Sequence, residues 1–234
     1  MLEVRNLHAW YGHSHVLQGI NLDVGAGEAV CVIGRNGAGK TTTLRSIMGL
    51  VQNRKGEVRF DGHDIIRLPV HRRFALGLAY VPEERRIVGG LTVLENLRLG
   101  LVASPHQPRE REIIDRIAET FPRLKERLDQ EADTLSGGEQ QMLAIARAMA
   151  SEPKLIMLDE PSEGIMPVLV DEMFELFARM KSQGITILIV EQNVERALQL
   201  ADRAYVMDQG EIVHASDAKA LLADTEIQER YCSV

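Results

Sequence analysis

Apolar residues recur along this chain with two periods, and their succession lays out the elements. Leu2-Glu-Val-Arg-Asn-Leu7 is strand-like, and Val16 to Val24 alternates apolar with polar positions in part. Ala29-Val-Cys-Val-Ile33, Leu155-Ile-Met-Leu158 and Ile185 to Val190 are unbroken apolar runs, which predicts buried strands. Gly56 to Phe60 and Leu78 to Val81 predict short strands, and Ala204 to Val213 a hairpin turning at Asp208-Gln-Gly210. Helical spacing takes over in between. Leu44, Ile47 and Met48 place a helix over Lys40 to Leu50, and Ile113, Ile114, Ile117 and Phe121 place one over Arg109 to Phe121. Two more helices are expected over Gly138 to Ser151 and from about Val168 to Ser182. Pro167 sits near the start of the second and Gly184 just beyond its end. Thr92-Val-Leu-Glu95 has the spacing of a capping box, and small helices close the chain. Strands alternating with helices predict an α/β fold with a largely parallel sheet covered on both faces. The helix-rich stretch from Val88 to Leu135 reads as a lobe inserted into that core.

Composition narrows the class without naming a function. The 234 residues, 45% hydrophobic and 26% charged, suit one globular domain with a lobe attached. A formal charge of -7 argues against nonspecific nucleic-acid binding. Cys31 lies in an apolar run and Cys232 at the tail, a usage that predicts neither a disulfide framework nor a metal site. No basic-then-apolar leader precedes Leu2, and no apolar run approaches the roughly 18 residues that span a bilayer. Any membrane role is therefore expected to be peripheral, through a partner that spans.

The candidate chemistry starts at Gly34-Arg35-Asn36-Gly37-Ala38-Gly39-Lys40-Thr41, a P-loop between a buried strand and a helix. Glycines let successive N–H groups face phosphate oxygens, and the helix start adds its positive end. Lys40 supplies a cation for the β- and γ-phosphates and the Thr41 hydroxyl a ligand for Mg²⁺, with Thr42 closing the nucleotide-contacting set. The strand Leu155 to Leu158 ends in Asp159 and Glu160. Alone, two acids at a strand end equally describe a solvated cap. With a P-loop upstream, Asp159 is assigned to Mg²⁺ through water and Glu160 to polarising the attacking water. Tyr11 is the candidate to stack on adenine, although Trp10 and Tyr11 also fit ordinary half-buried aromatics.

Leu135-Ser-Gly-Gly-Glu-Gln140 precedes a helix. A capping box explains Ser136 and Glu139 but not the two consecutive glycines. Gly137 and Gly138 expose N–H groups beside a hydroxyl, a second anion site within one chain. A head-to-tail dimer would use both sites on one nucleotide. P-loop, Leu-Ser-Gly-Gly and Leu-Asp-Glu-Pro, in this order, resemble the ATP-binding cassette of ABC transporters over essentially the whole chain. The resemblance implies a P-loop NTPase core with an N-terminal antiparallel β subdomain. It implies a single domain over residues 1–234, with a helical signature lobe at approximately 83–150 docking on membrane subunits. It also implies that Tyr11 stacks on adenine and that Ser136, Gly137 and Gly138 serve the partner's γ-phosphate.

Three positions depart from the general cassette. Val81-Pro82-Glu83 places glutamate where glutamine is usual, and so brings an acid near Mg²⁺. Ser162-Glu-Gly-Ile-Met-Pro167 lacks the usual aspartate, and Val190-Glu-Gln192-Asn193 places glutamine where a γ-phosphate-contacting histidine is usual. Together these variants resemble the LivF-type ATPase of branched-chain amino acid importers. The expected partners are then a second cassette (LivG-like or a like subunit), two transmembrane permeases and, indirectly, an extracytoplasmic binding protein. The expected location is the cytoplasmic face of the plasma membrane. Urea, amide or other amino-acid import is the alternative. A ribosome- or DNA-directed ABC ATPase fits less well, since the chain has one cassette and no sustained heptads. A subunit that binds ATP without hydrolysing it is a further reading that Gln192 allows and Glu160 opposes. The pairs Arg72-Arg73 and Arg85-Arg86 are expected to be solvated, and no histidines stand at a ligand spacing.

Overall fold

The computed structural model describes residues 1–102 and 109–232, with the Cys232 side chain outside that description. Strands β1 (Leu2–Tyr11), β2 (Ser14–Val24), β4 (Asn53–Phe60) and β5 (His63–Asp64) form an antiparallel sheet in the order β2-β1-β4-β5. The remaining strands are β3 (Ala29–Ile33), β6 (Leu78–Val81), β7 (Leu155–Asp159), β8 (Thr186–Glu191), β9 (Arg203–Asp208) and β10 (Glu211–Asp217). They make a second sheet in the order β10-β9-β3-β8-β7-β6, parallel except where β10 returns along β9.

The unbroken apolar runs become the centre of that sheet because each strand feeds two cores at once. Ala29, Cys31 and Ile33 face one side together with Ile156, Leu158, Ile187 and Ile189. Val30, Val32, Met157, Leu188 and Val190 face the other, where the antiparallel sheet and α1 (Lys40–Met48) cover them. The first side is covered by helices. These are α3 (Val93–Leu99), α4 (Glu110–Thr120), α5 (Pro122–Lys125) and α6 (Gly137–Ala150), then α7 (Pro167–Ser182) and α8 (Val194–Leu200). The helix-rich stretch therefore falls between β6 and β7, and the Thr92–Glu95 capping box forms as its spacing predicts. Helices α9 (Ala218–Ala223) and α10 (Thr225–Cys232) follow the last hairpin.

The structure corrects one reading of the charged pairs. Arg72 is exposed, but Arg73, on α2 (Val70–Ala75), is fully buried. Its guanidinium donates to Leu68 O (2.9 Å), Ile66 O (3.0 Å), Ser46 O (3.4 Å) and Ile47 O. Ser46 and Ile47 belong to the last turn of α1, whose carbonyls lack intrahelical partners and mark the negative end of the helix. Burial, with the charge of Arg54 nearby, lowers the Arg73 pKa to about 10, so it stays cationic at neutral pH. Arg73 thus caps the helix that carries Lys40. Arg73→Met is expected to destabilise the fold by about 2–4 kcal/mol, since several carbonyls lose a charged donor at once. Urea unfolding would measure it, and an unchanged midpoint would contradict the capping role.

On the outer face of the antiparallel sheet, Trp10 stacks on His15 with ring centroids 4.5 Å apart and planes 10° from parallel. The Lys55 ammonium lies 5.7 Å from the indole centroid, and His8 Nδ1 is 3.0 Å from His15 Nε2. His15 belongs to strand β2.

Candidate active site

The P-loop leaves the C-terminal end of β3 and enters α1. Gly34 has φ 152°, and a Cβ there would lie 2.1 Å from Met207 O, so the loop can begin only with glycine. Arg35, Asn36 and Gly37 are exposed, whereas Ala38, Gly39, Lys40 and Thr42 are buried. Lys40 is only 3% exposed. Its ammonium donates to Gly34 O (2.9 Å) and Arg35 O (3.3 Å) and stands 3.2 Å from Glu160 Oε1. Carbonyl oxygens of the loop and one carboxylate thus hold the cation at the point where the chain turns into the helix.

Parallel pairing of β7 with β8 brings the acids to the same end of the sheet. Thr41 Oγ1 donates to Asp159 Oδ1 at 2.8 Å, and Tyr80 Oη donates to Asp159 Oδ2 at 2.7 Å. Burial pushes the Asp159 carboxyl up, against the pull of those two hydroxyls. A hydroxyl and a carboxylate oxygen side by side at a helix start are hard donors suited to Mg²⁺.

Glu160 adopts φ 45°, a left-handed conformation that costs a non-glycine residue about 1–3 kcal/mol. Its carboxylate accepts from Gln192 Nε2, meets the Glu163 carboxyl and faces Lys40. Burial alone would raise its pKa; the bonds from Gln192 and Glu163 and the Lys40 charge outweigh that and hold it below the usual value. Glu163 moves the opposite way, raised first by its hydrogen bond to Glu160 and then by burial. Of the two, Glu160 is the more readily ionised. Carboxylate oxygens of Glu83, Glu160 and Glu163 all lie within 4.8 Å of one another. Burial, then the charges of Glu160 and Asp159, raises Glu83. Glu83 therefore gathers with the acids beyond Glu160, while Thr41 pairs with Asp159.

The signature sits at the start of α6. Ser136 Oγ donates to Glu139 Oε2 (2.7 Å) and accepts from Glu139 N (3.4 Å), while Ser136 N donates to the same carboxylate (2.9 Å). The capping box is complete, and Gly138 also has a packing cause. A Cβ on Gly138 would lie 2.3 Å from Leu169 Cδ1, and one on Gly137 would lie 2.7 Å from Arg85 Nη1. Arg85 is half-buried over the signature rather than fully exposed. Consecutive left-handed residues, Arg85 at φ 60° and Arg86 at φ 45°, turn the chain there.

Tyr11 ends β1 and is 48% exposed, with its ring near Arg45 of α1. Four residues with a place at the site escape the sequence reading: Tyr80, Arg45, Glu163 and Glu191. Tyr80 and Glu163 flank recognised motifs, but only pairing of β6 with β7 puts Tyr80 beside Asp159. Glu191 carried a legible signal, an acid ending a fully apolar run that burial obliges to find partners.

Known proteins resemble this chain along its whole length. Residues 17–163 match the family model described as "ABC transporter". The chain is 42% identical to the high-affinity branched-chain amino acid transport ATP-binding protein BraG of Pseudomonas aeruginosa, covering 99% of each. It is 37% identical to the probable branched-chain amino acid transport ATP-binding protein LivF of Archaeoglobus fulgidus, over 99% of this chain and 98% of the other. The lipopolysaccharide export system ATP-binding protein LptB of Haemophilus influenzae is 35% identical, over 99% and 96%. Among solved structures, the ADP conformation of an ATP-binding cassette of an ABC transporter superposes with a TM-score of 0.84 at 30% identity, covering 98% and 97%. A dimeric cassette in a post-hydrolysis state bound to ADP and Pi gives 0.79 at 26%, covering 93% and 99%.

Proposed function

Because the chain belongs to the ABC transporter family of ATP-hydrolysing subunits, we propose that it powers uptake of branched-chain amino acids across the plasma membrane, working at its cytoplasmic face. The observation that carries the hydrolytic part is the convergence of Lys40, Glu160 and Gln192 beside the Thr41–Asp159 pair. The substrate part is supported by the full-length similarity to BraG and LivF.

In this reading the chain is one cassette over residues 1–234, with a signature lobe at about 83–150. The N–H groups from Gly34 to Thr42 cradle the phosphates, and Lys40 neutralises the β/γ oxygens. Thr41 and Asp159 would hold Mg²⁺, with Glu83 adding negative charge nearby; the bound ion would offset charge on the phosphates. Glu160 takes the proton of the attacking water, and the Gln192 amide donates to the γ-phosphate. Tyr11 stacks on adenine. Ser136, Gly137 and Gly138 close over the γ-phosphate of a second cassette, so each site is completed by a partner. No helix among the described residues is long and apolar enough to cross a membrane. Two permease subunits supply that path and dock on a groove of about 390 Å³ that includes Leu50, Phe74, Leu99 and Arg147.

The LptB similarity favours a second reading, lipopolysaccharide export. Uptake separates them. Proteoliposomes holding this chain with its co-encoded permeases and binding protein are expected to accumulate labelled leucine with ATP, and isoleucine and valine to compete. ATP-dependent lipopolysaccharide extraction without leucine uptake would decide for the second reading.

A further inference from the structure

The buried carboxylates among the described residues are Glu139, Asp159, Glu160 and Glu191. Glu139 caps α6, Asp159 and Glu160 belong to the hydrolytic site, and Glu191 has no part in the steps above. It ends β8 and is 1% exposed. Its two oxygens are fully engaged by backbone donors. Oε1 accepts from Ser162 N at 3.0 Å, and Oε2 accepts from Gln192 N at 3.0 Å and Asn193 N at 3.1 Å. One side chain therefore ties the segment that follows Glu160 to the residue that contacts it.

We propose that Glu191 is a positioning residue for hydrolysis: its buried carboxylate holds the Glu160 loop and Gln192 at the spacing their mutual hydrogen bond requires. The left-handed backbone of Glu160 persists only where the surroundings over-determine it. Three bonds do so. Glu160 N donates to Val190 O (2.9 Å), Glu163 N donates to Glu160 O (3.1 Å), and Ser162 N is held by Glu191. Gln192 is itself exposed, on the link between β8 and α8. Anchoring its backbone N–H fixes the origin from which its amide reaches Glu160. Burial raises the Glu191 pKa while the three N–H groups oppose it, and a carboxylate that only accepts is the form matching three donors. A misplacement of about 1 Å at a reacting group costs on the order of 10²-fold in rate, so such a tie has kinetic weight.

The proposal rests on the assignment of Glu160 and Gln192 to hydrolysis, and a double-mutant cycle tests the two separately. ATP turnover is measured in the assembled transporter for Glu191→Gln, Gln192→Ala and the double variant. Glu191→Gln, nearly isosteric, puts an NH₂ group against backbone donors. It is expected to lower kcat by about 10-fold or more with the KM for ATP changed less than about 3-fold. Both substitutions break one contact, so the double variant should be much faster than the product of the single effects. Multiplicative losses, a KM effect alone, or an unchanged kcat for Glu191→Gln would overturn the proposal. Gln192→Ala turning over at the parental rate would instead overturn the Gln192 assignment and this inference with it. Should Glu191→Gln fail to fold, Glu191→Asp keeps the charge, is too short to span both segments, and is read in the same cycle.

Discussion

Glu160→Gln is expected to leave ATP bound and to cut its turnover by at least about 10²-fold, the factor a general base typically supplies. The substitution preserves shape and an oxygen acceptor for Gln192 but removes the basic charge. In the native protein that charge is well defended, because Gln192, Glu163 and Lys40 together outweigh the burial that would protonate it. Lys40, which stands 3.2 Å from the carboxylate, would be released toward phosphate, so affinity for ATP should hold or rise. The measurement is hydrolysis and nucleotide retention in the assembled complex, with sedimentation to detect ATP-held dimers. Parental turnover by this variant would remove Glu160 from the reaction.

Lys40→Ala should fail at the earlier step. Truncating one partner of a buried, hydrogen-bonded charge pair costs about 2–5 kcal/mol, which corresponds to tens- to thousands-fold in Kd. Two consequences compound it. Gly34 O and Arg35 O lose their donor, and Glu160 loses one of the groups that keep it ionised. Titration with a fluorescent ATP analogue distinguishes the two substitutions: weak binding for Lys40→Ala, parental binding for Glu160→Gln. Equal affinities in both variants would contradict the division between binding and chemistry.

Local signals carried the reading wherever the chain writes a whole device in one stretch. The P-loop, the capping boxes at Thr92 and Ser136 and the apolar runs of β3, β7 and β8 all formed where their spacing predicted. Element ends moved by a few residues, as β1 did in extending to Tyr11, since strand pairing rather than local preference ends a strand. What stayed hidden depends on contacts between distant segments. Arg73 sits in a polar dipeptide that reads as solvated, and only the carbonyls of α1 reveal why it is buried. Gly138 has the sequence of an anion site but also the packing of a helix crossing, with Leu169 where a Cβ would go. Substituting that glycine would therefore disturb the helix crossing as well as any phosphate contact proposed for it.

The Trp10–His15 stack has an optical consequence. The chain contains one tryptophan, so all of its indole emission originates one residue from Tyr11. Neighbouring strand residues point to opposite faces, which sets the emitter on the outer face while Tyr11 turns the other way. Its surroundings, an imidazole 4.5 Å from the indole and an ammonium above it, are polar and sensitive to small displacements of β1 against β2. Nucleotide arrival at Tyr11 would thus be visible as a change in native fluorescence, giving a label-free clock for ATP loading in the unmodified protein.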